Sequence, residues 1–258
     1  MIELKDLTIG YTGKKRQTTI IASDINATIE SGQLTCLLGH NGVGKSTLLK
    51  TLTAFLPKLS GQIVIDGKDI ESYTEKQLAR KIGVVLTERT SVQDMTVADL
   101  VALGRSPYTG FWGRLDDEDK EMVVRAMRLA GIENLSHRYV DTLSDGERQR
   151  AMIAKALAQD TPLICLDEPT SFLDFQSKVE MLRLLRRLSN DNGKTIFLST
   201  HDVELALQMA DSLWLMEQDH KLNIGTPRQL ADNGSLSRFF DNDFISFDPA
   251  TLRLVIVS

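Results

Sequence analysis

The run Gly39-His40-Asn41-Gly42-Val43-Gly44-Lys45-Ser46-Thr47 holds the residues of this chain best suited to chemistry on a phosphate. Its spacing is G-x-x-x-x-G-K-[ST], in which glycines let backbone N–H groups turn inward around an anion and a following helix adds its positive end. Lys45 is expected to reach the β- and γ-phosphates of a nucleotide, and the Ser46 hydroxyl to ligate Mg²⁺. A glycine turn that merely caps a helix would explain the glycines but not the lysine. Further along, Leu163-Ile164-Cys165-Leu166 runs into Asp167-Glu168. A strand ending in acids is commonly just a strand meeting solvent, yet ligands gather at the carboxyl ends of parallel strands. Beside a glycine loop, Asp167 is expected to hold Mg²⁺ through water and Glu168 to polarise the attacking water.

Those residues need elements to hold them. Ile2 to Ile9 and Ile20 to Ile29 read as strands, with the turn-rich Gly10-Tyr11-Thr12-Gly13 between them, and Leu34 to Leu38 as a short buried strand feeding the glycine loop. From Lys45 to Leu56 the apolar spacing (Leu48, Leu49, Leu52, Phe55) is helical until Pro57 stops it. Strands are expected at Gln62 to Asp66, Ile82 to Leu86, Leu163 to Asp167, Thr195 to Thr200 and Ser212 to Met216. The stretch from about Ser91 to Thr161 is mostly helical, except for Gly104 to Gly113, which is too rich in Gly and Pro. An amphipathic helix is expected around Val179 to Leu188. Strand–helix alternation on both sides of a helical block predicts a parallel-sheet α/β core with an inserted helical subdomain.

At 258 residues the chain is long enough for one sizeable core, and its hydrophobic (42%) and charged (25%) fractions are those of a globular protein. The net charge of -5 offers nucleic acid and anionic lipid no overall attraction. Cys36 and Cys165 lie in apolar runs and read as core side chains rather than a disulfide, which fits a reducing compartment. His40, His137, His201 and His220 lie too far apart for metal-ligand spacing. The start of the chain reads as carrying no signal peptide, and no apolar run approaches the ~18 residues that span a bilayer. The expectation is a cytoplasmic protein that reaches a membrane, if at all, through a partner.

With Leu143-Ser144-Asp145-Gly146-Glu147 added, the sequence resembles the ABC ATPase family over nearly its whole length. This pentapeptide is similar to the family's LSGGQ signature, although S-x-x-E is by itself also a capping box that opens a helix. The resemblance implies a P-loop NTPase core of mostly parallel sheet, an N-terminal antiparallel β subdomain and an inserted α-helical subdomain. It divides the chain into residues 1–90 and 162–240 as the RecA-like core with its β subdomain, 91–161 as the helical signature subdomain and 241–258 as a short tail. It implies ATP and Mg²⁺ as cofactors, with Ser144, Asp145, Gly146 and Glu147 facing the triphosphate held by a second copy. Tyr11 would stack on adenine, although a lone tyrosine in a turn is a slight feature. Asp174, in Ser171-Phe172-Leu173-Asp174, would belong to the D-loop, and His201 would sense the γ-phosphate.

Two features depart from the family pattern. Where a glutamine is expected after the strand Ile82 to Leu86, this chain has Thr87 and Glu88, either of which could supply an oxygen to Mg²⁺. The signature carries Asp145 and Glu147, whose carboxylates are expected to point away from phosphate. Within the family, Ala102-Leu103-Gly104-Arg105-Ser106-Pro107-Tyr108, ending in Gly113-Arg114-Leu115, resembles the subgroup serving iron-siderophore, haem and vitamin B12 importers. Its aromatics Tyr108, Phe111 and Trp112 could suit a partner groove or simply pack locally. The implied partners are a second copy in a head-to-tail dimer, membrane-spanning permease subunits and, indirectly, an external binding protein, with no nucleic acid. An ABC transporter for another cargo and a soluble, non-transport ABC protein are the alternatives.

Overall fold

The computed structural model describes residues 1–13, 18–86, 94–110, 112–217 and 221–257. In chain order the first elements are β1 (Ile2–Thr12), β2 (Thr18–Ile29), β3 (Leu34–Gly39), α1 (Lys45–Leu52), β4 (Ser60–Ile65) and β5 (Lys68–Asp69). Then come α2 (Glu75–Leu78), β6 (Ile82–Val85), α3 (Val97–Ala102), α4 (Asp117–Ala130), α5 (Asp145–Ala158), β7 (Leu163–Asp167) and α6 (Phe175–Asn192). The last are β8 (Thr195–Ser199), α7 (Val203–Met209), β9 (Ser212–Met216), β10 (Leu222–Gly225), α8 (Pro227–Asp232), α9 (Ser235–Phe240), β11 (Ile245–Asp248) and β12 (Arg253–Ile256). Two compact units result, one of Met1–Ser72 with Thr195–Ser258 and the other of Tyr73–Lys194.

In the first unit, β2, β1, β4 and β5 form an antiparallel sheet in that order. A second sheet contains the order β10-β9-β3-β8, with β3 parallel to both β8 and β9 and β10 antiparallel to β9. Strand β3 is apolar on both faces because both are covered, the usual condition of a parallel strand. In the second unit β6 and β7 pair in parallel, Val85 opposite Leu166, and α3, α4 and α5 pack together. This unit takes in the expected helical stretch 91–161 together with β6, β7 and α6. Cys36 and Cys165 are buried, and burial pushes the Cys165 thiol pKa up.

Several boundaries move from their sequence expectation for visible reasons. Helix α1 stops at Leu52 rather than Leu56: the Thr51 and Thr53 hydroxyls donate to the carbonyls of Thr47 and Leu49, and Ala54 turns left-handed at φ 59°. Phe55, counted on the apolar face, is 63% exposed. Strand β1 runs through the expected turn to Thr12, because Gly10 to Thr12 pair with Ile20 to Thr18. Helix α6 starts at Phe175, where the Asp174 carboxylate caps it by accepting from the Ser177 N–H at 2.7 Å. The tail is structured: β11 and β12 form a hairpin after the short helices α8 and α9. Among the described residues no helix is long and apolar enough to cross a membrane.

Candidate functional site

The first unit carries the glycine loop, which leaves β3 at Gly39 and enters α1 at Lys45. The Lys45 ammonium is folded beneath the loop, donating to the Gly39 carbonyl at 2.8 Å and the His40 carbonyl at 3.3 Å, and the residue is only 6% exposed. The Val43 N–H also donates to the His40 carbonyl, so that one peptide oxygen ties the loop together. Gly44 has φ 116°, and a Cβ there would run into the Ile21 side chain, so the position requires glycine. Gly44 is also the N-cap of α1 and supplies no capping side chain, and no acid occupies the first turn. Asn41, Gly42 and Ser46 lie on the accessible side of this loop.

Tyr11 is at the end of β1 and half exposed, and its hydroxyl is 2.7 Å from the Thr47 hydroxyl. Its ring is thereby tethered to the first turn of α1. His201 follows β8, whose next residue, Thr200, donates its N–H to the Leu37 carbonyl of β3. Because β3 and β8 are parallel, His201 and the glycine loop leave the same edge of the sheet.

In the second unit, Asp167 ends β7 and is 8% exposed, while Glu168 beside it is partly accessible. Glu168 adopts φ 46°, a left-handed backbone for a residue with a Cβ, and its side chain accepts from the Ser171 hydroxyl at 3.1 Å. A short turn then leads to Asp174, whose pKa is lowered because the Ser177 N–H bonds its carboxylate. Gly146 lies against this turn, since a Cβ there would sit 3.9 Å from both Leu173 Cδ2 and Ser177 Oγ. The start of α5 and the turn into α6 are therefore neighbours within one unit.

Ser144 is the N-cap of α5 in a complete capping box. Its Oγ accepts from the Glu147 N–H, while Glu147 Oε2 receives the Ser144 N–H at 2.9 Å and its hydroxyl at 3.0 Å. Glu147 Oε1 receives Arg138 Nη1 at 3.0 Å, and Arg138 Nη2 donates to the Thr142 carbonyl at 2.6 Å. The Glu147 pKa is lowered, first by the Ser144 backbone N–H and further by Arg138. Its carboxylate thus turns back onto Ser144. Asp145 stands exposed in the same turn. Arg138 carried no signal in the sequence: an arginine in a polar loop reads as surface charge.

The sequence profile described as ABC transporter matches residues 22–171, more than half of the chain. This chain belongs to the ABC transporter ATPase family. The matched stretch holds the glycine loop, the signature and the Asp167-Glu168 strand end, while Asp174 and His201 lie beyond it. The achromobactin transport ATP-binding protein CbrD of Dickeya dadantii is 38% identical over 94% of this chain and 88% of its own. The ferric enterobactin transport ATP-binding protein FepC of Escherichia coli is 37% identical over 92% of this chain and 85% of its own. Among solved structures, a metal-chelate type ABC transporter in an inward-facing conformation superposes with a TM-score of 0.79 at 25% identity, covering 99% of this chain and 96% of that one. The dimeric ATP-binding cassette MJ0796, bound to ADP and Pi after hydrolysis, superposes with a TM-score of 0.75 at 25% identity, covering 88% of this chain and 99% of that one.

The family's P-loop NTPase fold, its ATPase activity and its use of ATP with Mg²⁺ are accordingly those of this chain. The residue chemistry suits both: a glycine-capped helix start with no acid in its first turn suits a polyphosphate, and the Ser46 hydroxyl in one unit and the Asp167 carboxylate in the other are each the kind of oxygen donor that Mg²⁺ prefers. Thr87 and Glu88, the candidates for the missing glutamine, lie outside the described residues.

The described residues of the Gly104–Leu115 segment include ones that pack locally. Arg105 is 5% exposed, pairs with Asp119 at 2.7 Å and donates to the Ala158 carbonyl at 2.8 Å. Gly104 packs so tightly that an added Cβ would strike the Lys155 carbonyl. Tyr108 is not exposed: its ring lies under Arg105 at 3.9 Å and Arg80 at 4.7 Å, and burial raises its pKa. Trp112 is 82% exposed, and Phe111 lies outside the described residues. Sequence spacing could not mark Arg105 as buried, because its partner Asp119 doubles as the N3 residue of α4's capping box.

Proposed function

We propose that this chain is the ATP-hydrolysing subunit of an importer for metal-chelate cargo of the iron-siderophore, haem or cobalamin type. The observation that carries the cargo class is the likeness, over more than nine-tenths of this chain, to two ATP-binding proteins named for siderophore transport. The anchored Gly104–Leu115 segment, whose sequence resembles that importer subgroup, supports it.

Lys45 and the loop Gly39 to Thr47 hold the triphosphate, and Tyr11 stacks on the adenine. Glu168 polarises the attacking water and His201 senses the γ-phosphate. Ser46 and Asp167 would hold Mg²⁺, joined by Thr87 or Glu88, and the bound ion would supply positive charge beside the phosphate oxygens. Ser144, Asp145, Gly146 and Glu147 of one copy close on the triphosphate of the other, with Asp174 bridging the pair. One cradle and one signature per chain make two composite sites in a head-to-tail dimer, as the dimeric MJ0796 cassette makes plausible. The pair works beneath permease subunits at the inner face of the membrane and serves an external binding protein indirectly. In domain terms, 91–161 is the helical signature subdomain set into a core of 1–90 and 162–240, followed by the tail 241–258.

The test is transport. Cells whose only copy carries Lys45→Ala should take up radiolabelled ferric siderophore at background rate, and the parent chain should co-purify with a polytopic permease. Undiminished uptake, or recovery of ribosomes alone, would overturn the reading.

A further inference from the structure

We infer that Phe239 is a positioning residue for the phosphate loop, through which the C-terminal segment sets the affinity for nucleotide. This rests on the reading of Gly39 to Thr47 as the nucleotide cradle. The imidazole of His40, the second residue of that loop, stacks on the Phe239 ring with centroids 5.5 Å apart and planes 18° from parallel. Phe239 meets Phe240 edge-on at 4.8 Å and 80°, and Phe240 meets Phe247 at 6.4 Å. Four rings thus run from the loop to β11, all within one compact unit.

The run is fixed at its β11 end and along α9. Phe247 is buried, and its N–H donates to the Asp241 carboxylate at 2.6 Å just past the end of α9. Leu236 is fully buried, and Phe239 and Phe240 follow it at the i+3 and i+4 positions that share its helix face. The Ser235 N–H is held by the Asn233 side chain at 2.9 Å, and Arg238 donates to the Ser235 hydroxyl at 3.1 Å. At the other end the consequence falls on Lys45. The His40 carbonyl accepts from the Lys45 ammonium and the Val43 N–H, so whatever fixes the His40 side chain also fixes the peptide that places the lysine. His40 is otherwise exposed, and the stacked ring is what restricts it. Near-parallel rings at this separation are in the favourable offset-stacked range.

Coupling of this kind is reciprocal: if the stack tightens nucleotide binding, nucleotide must tighten the stack by the same factor. The experiment uses the full chain and a non-hydrolysable MgATP analogue. Phe239→Leu keeps apolar volume without an aromatic face, and His40→Ala alters an exposed side chain, so neither threatens folding. Each is expected to raise the Kd by roughly three- to tenfold, the range of one aromatic pair. The double variant should lose no more than either single one, the mark of a shared interaction. Amide exchange across 235–247 should slow on analogue binding in the parent and not in Phe239→Leu. An unchanged Kd in both single variants, while Lys45→Ala still weakens binding, overturns the inference and leaves the cradle standing. Unchanged binding in Lys45→Ala as well overturns both.

Discussion

Helices α1 and α5 each begin at a loop assigned to phosphate, and they begin in opposite ways. The α1 start has no side-chain cap: its N-cap is Gly44, and its first turn has no acid. The α5 start is closed: Ser144 and Glu147 satisfy one another, with Asp145 adding a second negative charge. A helix leaves its first four N–H groups without intrahelical acceptors, so a bare start favours an anion and a capped one competes with it. In the proposed function a triphosphate would meet no capping side chain at α1, whereas at α5 it would have to draw the Ser144 hydroxyl away from Glu147. Under the proposed function the contrast predicts an order, with the cradle loading first and the signature engaging second.

The largest test of that order acts after both ends have engaged. Glu168→Gln should bind MgATP normally, lose about 10²- to 10⁴-fold in turnover and accumulate as an ATP-bound pair. Single-turnover hydrolysis and size-exclusion chromatography read the two effects, and turnover near the parent rate would remove Glu168 as the base. Smaller is the effect of opening the closed end. Ser144→Ala should cost about 0.5–2 kcal/mol in denaturant unfolding and weaken ATP-driven pairing while leaving the monomer's nucleotide Kd unchanged. A changed monomer Kd would erase the distinction between the two helix starts.

Glu147→Gln sharpens the comparison most finely. Gln can still serve as the third residue of a capping box, so the change removes charge and keeps the hydrogen bonds. Stability should fall by about 0.3–1 kcal/mol or less, while ATP-driven pairing tightens. The Glu147 pKa is depressed from 4.5, so its contribution is fully present above that pH and is lost as pH falls through the lowered value. The stability difference between parent and variant should be flat above pH 4.5 and close below it. A difference that instead grew on acidification would reverse the assigned sign.

How much of this was legible in the sequence depends on range. The glycine loop, the strand into Asp167-Glu168 and the Ser144 cap are local patterns, and each lies on the expected element. Helix ends were less legible: Thr51 and Thr53 turn their hydroxyls back onto carbonyls and finish α1 early, a choice that apolar spacing does not encode. Contacts between distant segments were not legible at all. Nothing in the polar stretch before the signature marks Arg138 as the partner of Glu147, and nothing in the short apolar pattern of α9 marks Phe239 as lying over His40. Arg105 and Asp119 show the same limit, since burial of a charged pair is a property of the packing around it.

Glu168 has one more consequence. Its left-handed backbone costs a residue with a β-carbon roughly 1–2 kcal/mol, so a glycine at that position would be expected to relax the strand end and harden the fold. A sturdier protein is thus a single codon away, and under the role proposed for Glu168 it would be an inert one. Robustness and the proposed work therefore pull on this position in opposite directions.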